Sequence, residues 1–340
     1  MKIKSTEILE KLIQKENLSE AESRWILNSM ARNKIEYSKA GALLTSLRIK
    51  GESSTEILGF AEAMRRLTLK PIIKSSENTV DIVGTGGDKS GSLNLSTGSA
   101  ILTAASGIKV IKHGSRSISS NCGSADVLEQ LGVPIPLDEN QAGTYLEKNG
   151  FTFLFAPYYH PAMKNIGPVR KDLGIRTIFN ILGPLTNPAE PPFNVIGAYS
   201  IEVAELMAEA LSAMKIKRCF VINGALGWDE ATPIGPFTCF DVAPGKIQKT
   251  IRSPEDYGIP RCSSDDLLGS DAVNNCMRMK KALSGKDTLA HRNALILGAS
   301  LAIEVTNTER NAKDSFLLAK KTIEDGSSAQ LIKKIKNHGK

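Results

Sequence analysis

The amino-acid sequence predicts an α/β protein: a small all-helical N-terminal domain, then a larger α/β domain with a mainly parallel sheet flanked by helices. Two observations predict it. Over the first seventy or so residues, apolar side chains recur at three- and four-residue intervals with no strand signal between them, as in residues 19–33 and 53–67; this is the period of amphipathic helices. From Asn78 onward, short β-branched runs alternate with helix-like stretches, and strands separated by helices give βαβ units with parallel pairing.

The elements follow in order. The two helical stretches carry Ser or Thr near their starts, residues whose side chains satisfy first-turn N–H groups. The strand runs are TVDIVG (79–84), IKVIKHG (108–114), FTFLFAP (151–157), FNVIGAYS (193–200) and RCFVING (218–224), most of them ending in Gly, Pro or Ser. Residues 160–188 have another texture. Their helical segments are broken by Pro168 and Pro184 and contain no strand run, so this piece is expected to pack back on the N-terminal helices, with the chain crossing between domains. The predicted division is residues 1–72 as the helical domain, joined by part of about 160–190, and residues 73–340 as the α/β domain.

Composition excludes several classes. A hydrophobic content of 41% and a charged content of 23% over 340 residues suit a soluble domain that buries a core without staples. No apolar run is long enough for a membrane span, and residues 1–20 are charged throughout, without the apolar middle of a signal peptide. A cytoplasmic location is expected. The five cysteines form no CxxC pair and are odd in number, which argues against a disulfide framework or a zinc site. The net charge of +7 admits small anionic substrates or nucleic acid, although part of the excess sits in the tail LIKKIKNHGK.

Three segments carry chemistry. Asp81-Ile-Val-Gly-Thr-Gly-Gly-Asp88 follows a strand run and leads into Lys-Ser-Gly-Ser-Leu-Asn-Leu-Ser-Thr97. Three glycines in four positions let the backbone approach a bulky anion, and free N–H groups there and at the next helix start bind phosphate oxygens. The pattern is neither G-x-G-x-x-G nor a P-loop; a tight strand-to-helix turn is the plain alternative. Lys112-His-Gly-Ser-Arg-Ser-Ile-Ser-Ser120 again follows a strand, with two cations, a glycine and four hydroxyls in nine residues. Downstream, Gly123-Ser-Ala-Asp126 offers Ser or Asp to cap the helical VLEQLG. Two such loops after successive strands point to a phosphorylated ligand at the strands' carboxyl ends. Third, Asp229-Glu230 follows RCFVING. Adjacent carboxylates on a loop are ordinarily solvated charge, but facing a pyrophosphate they would serve Mg²⁺.

Together these segments resemble the anthranilate phosphoribosyltransferases, over nearly the whole chain. The resemblance rests on GTGGD, NLST, KHG…SS…GSADVLEQLG, VRKDLGIRTIFNILGPLTNP and the DE pair, in that order. It implies transfer of a ribose phosphate from phosphoribosyl pyrophosphate to anthranilate, two Mg²⁺ ions per active site, and a homodimer formed through the helical domains; no membrane partner is expected, and nucleic acid is a disfavoured one. Carried over, Gly84, Gly87, Asp88, Ser92, Asn94, Leu95, Ser96 and Thr97 would hold the donor. Lys112, His113, Gly114, Ser115, Arg116, Ser117, Ile118, Ser119, Ser120 and Ser124 would complete the cradle. Ser96, Asp229 and Glu230 would serve the metal, and Arg170 would meet the anthranilate carboxylate. Lys112 would stabilise the leaving pyrophosphate. His113 would orient the acceptor, or else be a structural loop histidine. The chain departs from the family pattern at Ser115 (usually Asn), Lys89 (usually Gly), Ser92-Leu93 (usually Thr-Phe) and Trp228 (usually Leu). Three other readings remain: a paralogue using another aromatic acceptor, a nucleoside phosphorylase of related architecture, and a non-catalytic nucleic-acid binder on the same scaffold.

Overall fold

The structure is a computed structural model that describes residues 3–117, 122–307 and 309–338. It opens with four helices, α1 (Ser5–Ile13), α2 (Glu20–Ala31), α3 (Tyr37–Lys50) and α4 (Ser54–Arg66). The serines near the starts do the capping. Ser19 and Ser53 each accept from the amide three residues on, and Glu22 and Glu56 reach back to the cap amides, at 2.9 and 2.7 Å. Such reciprocal caps satisfy two first-turn donors at once.

The second part runs β1 (Thr79–Gly84), α5 (Leu95–Ala105), β2 (Lys109–Gly114), α6 (Ser124–Leu131), α7 (Glu139–Asn149) and β3 (Phe151–Phe155). The chain then crosses through α8 (Ala156–Tyr159), α9 (Met163–Leu173) and α10 (Phe179–Leu182), and returns as β4 (Phe193–Gly197), α11 (Ile201–Ser212) and β5 (Arg218–Asn223). β6 (Phe237–Ala243) and β7 (Lys246–Arg252) precede the closing helices α12 (Ala272–Leu283), α13 (Leu289–Thr306), α14 (Ala312–Glu324) and α15 (Ser327–His338).

All five strands read from the sequence pair in parallel, within one sheet of order β3-β2-β1-β4-β5-β6-β7. The sequence runs do not announce β6 and β7, which add an antiparallel hairpin. β7 is an edge strand with five of its seven residues exposed, and a polar edge lacks the apolar run that marks a buried strand.

Two cores flank the sheet. Val195, Phe220, Ile222 and Cys239 pack with α5 and α13, whereas Ile196, Val221, Phe240 and Val242 pack with α11 and the helical layer of α1–α4. Alternation along each strand sends successive side chains to opposite faces, so the N-terminal helices share a core with the sheet. Helix α9 joins them: Ile166 and Val169 are buried in the same core, and Asn165 donates to the Ala31 carbonyl at 2.7 Å. β2 and β4 lie on opposite sides of β1, so the direction of winding reverses at the β1/β4 pair. The carboxyl ends there are where open α/β sheets hold ligands.

Candidate active site

β1 and β4 end side by side, with Gly84 opposite Gly197. The loop after β5 folds over both ends because they lack side chains. A Cβ on Gly197 would lie 1.4 Å from the Asp229 carbonyl oxygen, one on Gly84 2.1 Å from Asp229 Oδ2, and one on Gly224 2.0 Å from the Glu230 carbonyl. The sequence marks Gly197 and Gly224 only as strand ends. Their function, clearance for the acidic pair, exists only once the strands are neighbours.

The acidic pair is buried, unlike the solvated loop charge that adjacent carboxylates ordinarily are. Asp229 is 8% exposed. Its Oδ2 accepts from the Gly86 amide at 2.6 Å, and its own amide donates to Asp88 Oδ2 at 3.4 Å. Glu230 Oε1 accepts from the Ser96 amide at 2.8 Å, in the first turn of α5. The pair therefore clasps the glycine loop and a helix N-terminus, which draws it inward. Burial pushes both carboxyls above their ordinary range; Asp88 adds to the effect on Asp229, and Asp229 and Asp88 add to that on Glu230. Three crowded carboxylates favour an added cation. Among the described residues no three or more His, Cys, Asp or Glu form a ligand cage. These carboxylates could supply part of an oxygen shell that water and phosphate oxygens would complete, a donor set that fits Mg²⁺.

Lys112, at the end of β2, is 2% exposed; its Nζ donates to the Ile82 carbonyl at 2.5 Å and reaches Ser96 Oγ at 3.5 Å. Burial lowers its pKa, while Asp81, Glu230 and Asp229 oppose that shift. Its charge sits on the floor between β1 and α5. The neighbouring His113 is 4% exposed, donates its amide to Asp81 Oδ1 at 3.3 Å, and has Nε2 3.0 Å from His160 Nε2. Burial and His160 hold it well below the ordinary histidine range, so the ring is neutral at pH 7. Asn187 donates to Asp81 Oδ2 at 2.9 Å and to the Ile111 carbonyl at 2.8 Å, pinning β1 to β2. Neither His160 nor Asn187 carries a local signal of its role.

The loops after β1 and β2 are both braced by their own polar groups. In the first, Asp88 Oδ1 accepts from the Ser90 amide at 3.1 Å and hydroxyl at 3.0 Å, and Ser92 pairs with Leu268 in an antiparallel bridge. Asn94 does not cap α5 with its side chain. It donates instead to the Cys122 carbonyl at 3.0 Å and accepts from Asn275 at 3.1 Å, joining the two loops. Leu95 and Thr97 are buried in the first turn of α5.

In the second loop, the Ser115 carbonyl, just past Gly114, accepts from Ser124 Oγ and the Ala125 amide, both at 3.2 Å. Ser124 is therefore a loop tie and not the helix cap. Asp126, the third residue of α6, reaches back to the Gly123 amide at 2.8 Å and the Ser117 amide at 3.3 Å. Arg116 grips Glu129 through two 2.6 Å bonds and Asp126 through a third at 2.9 Å, so its guanidinium holds the loop against α6. Ile118, Ser119 and Ser120 lie outside the described residues. Arg170, on α9, stacks over Phe179 at 5.4 Å. Burial lowers its pKa, and among the described residues it has no carboxylate partner.

The comparisons with known proteins agree along the chain. A family model described as "Glycosyl transferase family, helical bundle domain" matches residues 6–68, and "Glycosyl transferase family, a/b domain" matches residues 76–329. The anthranilate phosphoribosyltransferase of Rubrobacter xylanophilus is 39% identical over 328 residues, 96% of this chain and 95% of that protein. That of Persephonella marina is 38% identical over 334 residues, 98% of each. The crystal structure of the Thermus thermophilus anthranilate phosphoribosyltransferase superposes with a TM-score of 0.91 at 35% identity, covering 98% of this chain and 99% of that one. The Saccharomyces cerevisiae protein, in complex with PRPP and Mg, gives 0.87 at 25% identity, with 98% and 97% covered.

Proposed function

The chain belongs to the anthranilate phosphoribosyltransferase family, and from that premise we propose how its cleft moves the 5-phosphoribosyl group of phosphoribosyl pyrophosphate to the amine of anthranilate. The reaction breaks the C1–pyrophosphate bond and forms a C1–nitrogen bond. Its products are N-(5-phosphoribosyl)anthranilate, pyrophosphate and the proton that the nitrogen releases to pyrophosphate or solvent once bonded to C1, in the second step of tryptophan biosynthesis from chorismate. The observation that carries this reading is the convergence of two phosphate cradles and a buried acidic pair on one strand-end crevice.

The donor's phosphates would lie against the amides of Gly87 and Asp88, the N-terminal turn of α5 and the hydroxyls of the Ser115–Ser117 loop, where fixed donors bind anions without reorganisation. Lys112 lies beneath them with its charge held by Asp81, and would stabilise the negative charge that develops on the leaving group. Mg²⁺, two ions held through Ser96, Asp229 and Glu230, would neutralise pyrophosphate oxygens. Arg170 has a planar fork without a protein carboxylate, which suits the carboxylate of anthranilate. An aromatic amine is neutral at pH 7 and attacks as it stands, which agrees with a His113 that is buried, neutral and turned to His160. We assign it to shaping the acceptor wall. The division near residues 72/73, a homodimer through the helical domains and a cytoplasmic location complete the reading. Among the described residues no helix is long and apolar enough to cross a membrane.

Ser115 tests the acceptor. Its hydroxyl has no hydrogen-bond partner among the described residues, and an Asn there would offer both a donor and an acceptor at longer reach. One such contact is worth about 1 kcal/mol, or several-fold in affinity. With anthranilate as acceptor, wild type should consume it with matching pyrophosphate release, and Ser115→Asn should leave its KM unchanged or lower. Poor use of anthranilate by wild type, with a gain on substitution, would assign the pocket to a different aromatic amine.

A further inference from the structure

The glycine loop is held from a direction that the donor and metal residues do not account for. Arg176 lies in the turn between α9 and α10, and its Nη2 donates to the carbonyl of Gly87. The guanidinium also stacks over Tyr199, 4.3 Å from the ring centroid, just beyond the end of β4. The approach is close: a Cβ on Gly87 would meet Arg176 Nη2 at 3.0 Å.

The Gly87 carbonyl and the Asp88 N–H belong to one planar trans peptide and so point in opposite directions. An arginine that fixes the carbonyl therefore aims the Asp88 N–H away from itself. Among the described residues the amides of Gly87 and Asp88 have no partner, so this orientation presents free donors to an anion. The segment bearing Arg176 is anchored on the other side. Leu173 packs near Gly41 of α3, Ile178 and Phe179 are buried in the helical core, and α9 carries Arg170.

We propose that Arg176, supported by Tyr199, is a positioning residue that ties the acceptor-side segment to the donor's phosphate loop, setting donor affinity and coupling the binding of the two substrates. The proposal rests on the reading of the cleft given above. It predicts that the loop and the α9–α10 segment are ordered together, so that binding at one side lowers the cost of ordering the other.

The test is calorimetric titration of Mg²⁺-phosphoribosyl pyrophosphate into wild type, Arg176→Gln, Arg176→Lys and Tyr199→Leu, with no acceptor present, beside thermal melts of each. Loss of one charge-assisted bond should weaken donor binding about tenfold in Arg176→Gln at an unchanged melting temperature. Arg176→Lys, which can donate but cannot stack as a plane, should recover part of the affinity, and Tyr199→Leu should shift the same way by less. In initial-rate matrices the donor KM should rise more than kcat falls, and the dependence of each substrate's KM on the other should flatten. Donor affinity within twofold of wild type in Arg176→Gln would overturn the proposal. So would a weakening matched by an equal loss of folding stability in both Arg176→Gln and Tyr199→Leu. Because the titration contains no acceptor, a wild type that binds the donor but leaves anthranilate unchanged would count against the acceptor assignment alone.

Discussion

Gly197→Ala perturbs the acidic pair without altering either carboxylate. The added Cβ would stand 1.4 Å from the Asp229 carbonyl oxygen and 2.4 Å from its carbon. Ordinary contact near 3.5 Å requires one partner to retreat by about 2 Å. The strand cannot be that partner. β4 is paired over five residues with β1 and over five with β5, and the Gly197 carbonyl also accepts from the Thr85 amide at 2.9 Å. The loop gives way, carrying Asp229 off the Gly86 amide and Glu230 off the Ser96 amide. Overpacking of this kind costs about 1–3 kcal/mol of stability. Displacing catalytic groups by about 1 Å can cost a hundredfold in rate. The expected variant is therefore folded, melts a few degrees lower, loses at least about a hundredfold in kcat/KM and needs more Mg²⁺ for half its rate. Circular dichroism melts and initial rates across a Mg²⁺ series measure both. A folded variant with the wild-type rate and Mg²⁺ dependence would refute the claim that clearance at Gly197 seats the acidic pair.

Two further outcomes follow from the buried polar groups. Mg²⁺ with pyrophosphate should raise the melting temperature of wild type by linkage and leave that of an Asp229→Asn, Glu230→Gln double variant unmoved, with turnover sharply reduced; an equal ligand-induced rise in both proteins would remove these carboxylates from the metal site. His160 is 5% exposed, and burial lowers its pKa from 6.5 to about 4. Its neutral burial thus contributes stability that is complete above the ordinary histidine value and is lost as pH falls toward 4, at most about 3 kcal/mol. Urea denaturation at pH 7.5 and pH 5 should show His160→Gln losing less stability on acidification than wild type; an equal loss would place the acid sensitivity elsewhere.

The sequence by itself determined the five parallel strands, the capped N-terminal helices and the two polar, glycine-bearing loops after β1 and β2. Each is encoded by contiguous residues: the spacing of apolar side chains, glycines in a turn, a serine three residues before a glutamate. It also offered Asp229 and Glu230 as a pair to serve Mg²⁺, but on an exposed loop, since burial is not a local property. Only the tertiary structure decided what the pair holds. Asp229 and the Gly86 amide it binds are 143 positions apart, and they meet because β1, β4 and β5 are neighbours that end together. Gly197, Gly224, His160, Asn187 and Arg176 stayed silent for the same reason. Each acts on a partner brought near by strand order or by the α9–α10 crossover, and no pattern within its own segment discloses that partner. The β6–β7 hairpin was illegible on other grounds: β7 lies at a solvated edge with a mostly exposed, polar sequence, and β6, although largely buried, breaks the alternation of strands with helices and takes its place only by antiparallel pairing with β5.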